Sequence, residues 1–137
     1  MAIAALSRSA YAKWVPRIGR EPKPMTADYD LAVRRHRFDL LFIDGHLAAL
    51  IETVAEGETL LIENLAVGPD YQRRGLGTML MAHAESIAKS TGQNRLRLYT
   101  NARFEGNVAL YERLGYRVDG QEDIAGGSLR VDMSKAV

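Results

Sequence analysis

The residues from Leu65 to Thr78 carry the chemistry most open to reading: an apolar run gives way to a loop, and the loop to a helical pattern. Gly75 and Gly77 stand where that helix should begin, although glycine inside a helix costs about 1 kcal/mol relative to alanine. A bound ligand would compensate. Bare backbone lets a ligand come close, and the first amides of a helix are unpaired donors at the positive end of its dipole, suited to a phosphate or pyrophosphate. A dinucleotide fingerprint needs a third glycine where Leu80 stands, and a Walker loop needs a Gly-Lys-Ser/Thr run that is absent. The pattern that survives is Gln/Arg-x-x-Gly-x-Gly/Ala behind an apolar strand, filled by Gln72, Gly75 and Gly77.

Several elements must hold that loop in place. Ala2 to Ile18 is helical in character, with Ile3, Leu6, Ala10, Trp14 and Ile18 on one face. Gly19, Pro22 and Pro24 end it, and a second short helix is predicted from Thr26 to about His36. The basic run Arg34 to Arg37 reads as a solvated helix end. Phe38 to Ile43, His46 to Val54 and Thr59 to Val67 form a meander of antiparallel strands, turned at Asp44-Gly45 and Glu56-Gly57-Glu58. A long helix is predicted from near Gln72, with Leu76, Met79, Leu80, His83, Ile87 and Ala88 on one face, ending at Thr91-Gly92. Then come a strand from Arg95 to Thr100 and a helix from Asn107 to Leu114. Two final strands, Tyr116 to Gly120 and Ser128 to Ser134, are joined through Gly126-Gly127.

The 137 residues suit one domain, 1–137, large enough to bury a single core. A net charge of +1 gives no global basic field, which argues against nucleic acid and anionic membranes as partners. The seven acidic residues between Phe38 and Asp70 have no basic residue among them. They read either as a solvated hairpin face or as a field favouring a cationic amine. There is no cysteine, and His36, His46 and His83 lack metal-ligand spacing, so no metal site is expected. The apolar opening breaks at Ser7-Arg8, too short for a span, and a cytoplasmic protein is expected.

With its context, the loop resembles the acetyl-CoA pyrophosphate loop of the GNAT acyltransferase superfamily. Asn64 to Pro69 looks like that family's fourth strand, Asn107 to Tyr116 like its later helix with the closing Gly-aromatic pair, and Arg130 to Met133 like its last strand. Arg17 to Met25, with Asp28-Tyr29, is similar to a segment shared by small bacterial members. The resemblance covers nearly everything from Phe38 onward. It implies an α/β (α+β) fold with a mixed, mostly antiparallel sheet flanked by helices, acetyl-CoA as cosubstrate, and transfer of its acetyl group to a primary amine. The acceptor would be a small molecule or a peptide. The family normally opens with a strand before the first helix, and no counterpart of that strand is expected ahead of the helix read from Ala2. Phe38 to Ile43 is therefore expected at a sheet edge with unpaired backbone groups, which either another chain, as in a homodimer, or another segment covers, or which lowers stability.

The resemblance also implies residue roles. Leu65, Ala66 and Val67 would meet the pantetheine arm, and Gln72, Arg73, Arg74, Gly75, Leu76, Gly77 and Thr78 the pyrophosphate. Asn107 would contact coenzyme A or cap its helix. Tyr111 would protonate the leaving thiolate, or simply pack beside Leu114; Tyr116 reads as core. Glu63, on the strand that carries the thioester, is the candidate base, or an exposed strand carboxylate. Trp14, Tyr29 and Tyr99 could line the acceptor pocket, although Trp14 suits the core better. A non-catalytic acyl-CoA-binding or regulatory module is the alternative to an enzyme.

Overall fold

The computed structural model describes residues 2–18, 21–104, 106–124 and 128–137. Gly19, Arg20, the Gly126-Gly127 joint and the side chain of Ile18 lie outside the described residues. The chain opens with helix α1 (Ala2–Tyr11), a 3-10 turn (Ala12–Trp14) and α2 (Val15–Ile18). The single amphipathic helix expected over this stretch is thus broken, at a point followed by Pro16, whose ring and missing N–H oppose a continuous α-helix. The helix predicted from Thr26 to about His36 is α4 (Tyr29–Arg35), and a further short helix, α3 (Lys23–Thr26), occupies the proline stretch that the sequence marks as a break. Asp28, extended at the N-cap, accepts a bond from the Leu31 amide and so starts α4 afresh.

Six strands follow: β1 (Arg37–Ile43), β2 (His46–Glu56), β3 (Thr59–Val67), β4 (Arg95–Asn101), β5 (Arg117–Ile124) and β6 (Ser128–Ala136). They form one sheet in the order β1-β2-β3-β4-β6-β5, antiparallel except for the pair β3 and β4. The meander β1-β2-β3 is as predicted, and β1 lies at the edge of the described sheet. Helix α5 (Leu76–Ser90) crosses between β3 and β4, and α6 (Asn107–Arg113) between β4 and β5. Among the described residues no helix is long and apolar enough to cross a membrane.

The main core lies between the sheet and α5, where Leu76, Leu80, Met81, Ala84, Ile87 and Ala88 meet Ile51, Leu60, Ile62, Leu96, Leu98 and Met133. Met79, 51% exposed, and His83, which bonds Asp39 on β1, are not on the buried face where the sequence placed them. Met81 and Ala84 take their place, which rotates the stripe toward β2 and β3. Helix α1 covers the other side of the sheet, with Leu6 and Ala10 packed against Leu50 and Ala66. One sheet face therefore rests on α5 and the opposite face on α1, and the functional residues lie where β3 leaves β4.

Candidate functional site

Strand β3 pairs with β4 only from Thr59–Arg95 to Ile62–Leu98. Both strands run on, but β3 stays bonded to β2 as far as Val67 and β4 stays bonded to β6 as far as Asn101. Their other neighbours hold them apart. The separation starts at a β-bulge: Glu52 faces Asn64 and Thr53 faces Ile62, so Glu63 is the extra residue. A bulge bends its strand and re-aims the side chain it carries, and it does so here at the first position beyond the last rung.

A cavity of about 290 Å³ opens in the notch, lined among others by Tyr11, Glu63, Tyr99, Phe104, Asn107 and Tyr111. The Tyr99 hydroxyl donates to Glu63 Oε1 at 2.8 Å, and Lys23 Nζ lies 3.4 Å from the same oxygen. Burial, reinforced by the charge of Glu63, pushes the Tyr99 phenol upward and keeps it a donor. The Arg130 guanidinium lies 4.4 Å from the centre of the Tyr99 ring and bonds Asp132. Tyr111, from α6, faces the same cavity and packs edge-on against Tyr116 with ring centres 6.1 Å apart. Burial pushes its phenol up to about 12. It belongs to the core and to the cleft at once, and Tyr116 is fully in the core.

Two tyrosines fasten the far side of the notch. The Tyr11 hydroxyl, from the end of α1, is 3.0 Å from both Asn64 Oδ1 and the Leu65 carbonyl, which share its one proton. Asn64 Nδ2 donates in turn to Ser7 Oγ and to the Tyr29 hydroxyl. Tyr29, 3% exposed, donates to the Pro24 carbonyl. Burial pushes both phenols upward. Asn107 opens α6 but does not cap it; Gly106 holds the cap position, and Asn107 Nδ2 reaches Thr100 Oγ1 at 3.5 Å. Trp14 stacks on Phe104 with centres 5.0 Å apart, so it supports the cleft through a neighbour.

The glycine loop differs from expectation in one respect. Helix α5 starts at Leu76, not near Gln72, because Arg73 at φ +64° and Gly75 at φ +79° adopt left-handed backbone that no helix contains. The first helical bond runs from the Met79 amide to the Gly75 carbonyl, which leaves the amides of Leu76, Gly77 and Thr78 without helical acceptors. A Cβ placed on Gly75 would meet nothing, so the space above the loop is open. Gln72 ties the loop to β3 by donating to the Val67 carbonyl, and accepts a bond from Lys13. Burial and then the charge of Arg73 lower the Lys13 ammonium. Crowded cations beside free amides fit a pyrophosphate.

A second cavity of about 310 Å³ continues from the first through Glu63, Asn64, Tyr99, Lys23 and Pro24. It holds Glu52, 3% exposed, whose carboxylate is 2.6 Å from His36 Nδ1. Burial raises Glu52, and the His36 bond opposes that rise. His36, read from sequence as part of a solvated run, is thus half-buried, and of the acidic stretch two members, Glu52 and Glu63, line the cavities. Tyr11, Lys13, Lys23, Glu52 and Arg130 carry no local signal of their position, since each reaches the site from a distant element. Among the described residues no group of three or more His, Asp or Glu side chains is arranged to hold a metal ion.

A parallel strand pair parted around a polar notch, with a glycine loop at the start of the crossover helix, leaves a strand edge and three helix amides open beside one cleft. The comparisons agree with that geometry. The model of the acetyltransferase (GNAT) family matches residues 3–116, and the chain belongs to this family. It is 38% identical over 76 residues to the ribosomal protein bS18-alanine N-acetyltransferase of Salmonella typhimurium, 56% of this chain and 51% of that protein, so the match spans about half of the relative. With the Escherichia coli protein of the same name the identity is 33% over 101 residues, 66% of this chain and 68% of the relative. The crystal structure of the Escherichia coli ribosomal-protein-S18-alanine N-acetyltransferase superposes with a TM-score of 0.82 at 25% identity, over 99% of this chain and 86% of that one. An N-acetyltransferase from Thermoplasma acidophilum solved with coenzyme A shares the fold, with a TM-score of 0.70 at 21% identity over 99% of this chain and 91% of the other.

Proposed function

We propose that the protein transfers the acetyl group of acetyl-CoA directly to a primary amine, with Glu63 as the base and Tyr111 as the acid. The observation that carries this reading is the notch itself, which has a carboxylate and a half-buried phenol on one cavity at the end of the shared β3 and β4 rungs. The pyrophosphate would lie on the amides of Leu76 to Thr78, flanked by Lys13, Arg73 and Arg74. Within a strand, the N–H and C=O of one residue point the same way. Tyr11 and Gln72 take the Leu65 and Val67 carbonyls on the edge β4 has left, and the Leu65 and Val67 amides on that edge are available to a pantetheine arm.

At neutral pH only about one alkylamine in a thousand is unprotonated. Glu63, fixed by the Tyr99 hydroxyl, takes the amine proton, and the acceptor enters through the second cavity beside Tyr29, Glu52 and His36. Tyr111 supplies a proton to the sulfur as the C–S bond breaks; a phenol held up to about 12 carries that proton throughout the neutral range. Asn107 borders the cleft at the sulfur end. The similar proteins named for the bS18 alanine and for streptothricin mark two acceptor kinds, a peptide α-amine and an antibiotic amine.

The test is free-thiol release from acetyl-CoA across a panel that starts with alanine-terminated peptides and amine antibiotics. The expected result is release that requires both substrates and slows strongly in Glu63→Gln. Tight binding of acetyl-CoA with no release on any amine would overturn it in favour of a binding module.

A further inference from the structure

Lys23 is placed where an acceptor amine would have to stand. Its ammonium lies 3.4 Å from Glu63 Oε1, and the residue borders both cavities at the point where they join. The backbone beneath it is pinned. Pro22 and Pro24 fix φ on either side, Arg8 donates to the Met25 carbonyl and pairs with Glu21, the Tyr29 hydroxyl donates to the Pro24 carbonyl, and the Met25 side chain is buried. The four-carbon stem rises from this pinned backbone and carries the ammonium to the notch. The other lysines stand elsewhere: Lys13 bonds Gln72 at the glycine loop, Lys135 pairs with Glu85, and Lys89 is exposed near the end of α5.

We propose that Lys23 is an internal acetyl acceptor, so that the protein acetylates itself in the absence of another amine. The proposal rests on the acetyltransferase reading above. Glu63 takes one proton from the ammonium; the freed nitrogen lone pair forms the N–C bond to the thioester carbonyl carbon as the C–S bond breaks. The leaving thiolate takes the Tyr111 proton, the nitrogen's second proton returns the phenol to its starting state through solvent, and the proton on Glu63 is released. The net products are acetyl-lysine, free coenzyme A and one proton. A tethered amine reacts as if at very high concentration, with effective molarities on the order of 10⁵ M or more in well-aligned systems, so even a partly aligned lysine outruns one that meets acetyl-CoA only by collision. Acetylation also removes the cation from Glu63 and clears the way for a substrate amine.

The experiment incubates the full chain with acetyl-CoA alone and follows each lysine by peptide mass spectrometry over time, at several protein concentrations. The expected result is acetyl on Lys23 at about tenfold or more the rate on Lys89, with a rate constant independent of protein concentration. Lys23→Gln, which removes both the nucleophile and the cation beside Glu63, should show no acetyl at this position while still releasing thiol with an external amine, and Glu63→Gln should slow Lys23 modification. Equal labelling of Lys23 and Lys89, a rate constant that rises with protein concentration, or an unmodified Lys23 in a protein that acetylates an external amine would each overturn the proposal alone. Failure to bind acetyl-CoA, together with no thiol release on any amine, would overturn the acetyltransferase reading and this proposal with it.

Discussion

From Thr59 to Ile62, β3 pairs with β4 and its side chains Leu60, Leu61 and Ile62 are buried; from Glu63 to Val67 the same strand faces a cleft and carries Glu63 and Asn64. One strand thus does two kinds of work. In the closed half, backbone groups pair with each other and Leu60 and Ile62 face α5. In the open half the ladder partner is gone, and the Tyr11 phenol and the Gln72 side chain take up the Leu65 and Val67 carbonyls. The bulge at Glu63 is the hinge between the two, and it teaches that a catalytic cleft can be made by releasing strands that remain anchored to their outer neighbours. Changes in the closed half should therefore act on stability and changes in the open half on chemistry.

The largest effect is expected at Tyr111. Tyr111→Phe should lower kcat by about 10²- to 10⁴-fold, the usual range for a lost general acid, while calorimetric affinity for acetyl-CoA stays unchanged. The pH profile sharpens the point. With the phenol raised to about 12, the acid form is complete below that pH and is lost only as pH climbs through it. The kcat/KM profile should therefore show no alkaline fall from this residue between neutrality and pH 10 or so. An undiminished kcat in the phenylalanine variant would leave Tyr111 a packing residue.

Next comes Leu96, fully buried in β4 opposite Leu60. Leu96→Ala should cost about 2–5 kcal/mol of folding free energy, read as a lower midpoint in urea, with kcat of the folded fraction retained. An equal loss of kcat would break the division between the halves. Asn64→Ala tests the other side. It takes one partner each from Ser7, Tyr11 and Tyr29, the two phenols keeping the Leu65 and Pro24 carbonyls, and should cost about 1–3 kcal/mol, but here kcat/KM should fall as well, because the edge of β3 loses part of its support. A purely thermal effect would show that the Asn64 network only holds α1 to the sheet.

Much of this division was legible in the sequence. The bounds of β3 follow from a run of apolar residues between a glycine turn and Gly68-Pro69, and the glycine loop declares itself because glycines at a helix start need a reason. The bulge does not declare itself, since inserting one residue into a ladder leaves no mark on residue type. Nor do left-handed Arg73, the partnership of His36 with Glu52, or the arrival of Tyr11 and Lys23 over the notch. Periodicity reports which face of an element is buried, whereas these positions depend on how distant elements cross. The stripe of α5 shows the same limit: Met79 and Met81 fit a helical face equally well, and only the position of β2 and β3 beneath decides that Met81 is buried.

The smallest effect is expected at Gly75, and it probes whether the loop's conformation or its bareness is what matters. An added Cβ there meets no atom, so steric exclusion within the protein contributes nothing. The backbone, however, sits at φ +79°, where a side chain costs about 1–2 kcal/mol. Gly75→Ala should either shift the loop toward ordinary helical angles or carry that strain. In both cases the amides that would face the pyrophosphate are misaligned or held at a cost, and the dissociation constant for acetyl-CoA should rise by about tenfold. The thermal midpoint should fall only slightly, and kcat at saturating acetyl-CoA should be unchanged, because Glu63 and Tyr111 are untouched. If affinity survives and stability alone declines, the loop's left-handed turn serves folding, and the cations Lys13, Arg73 and Arg74 hold the phosphates without it.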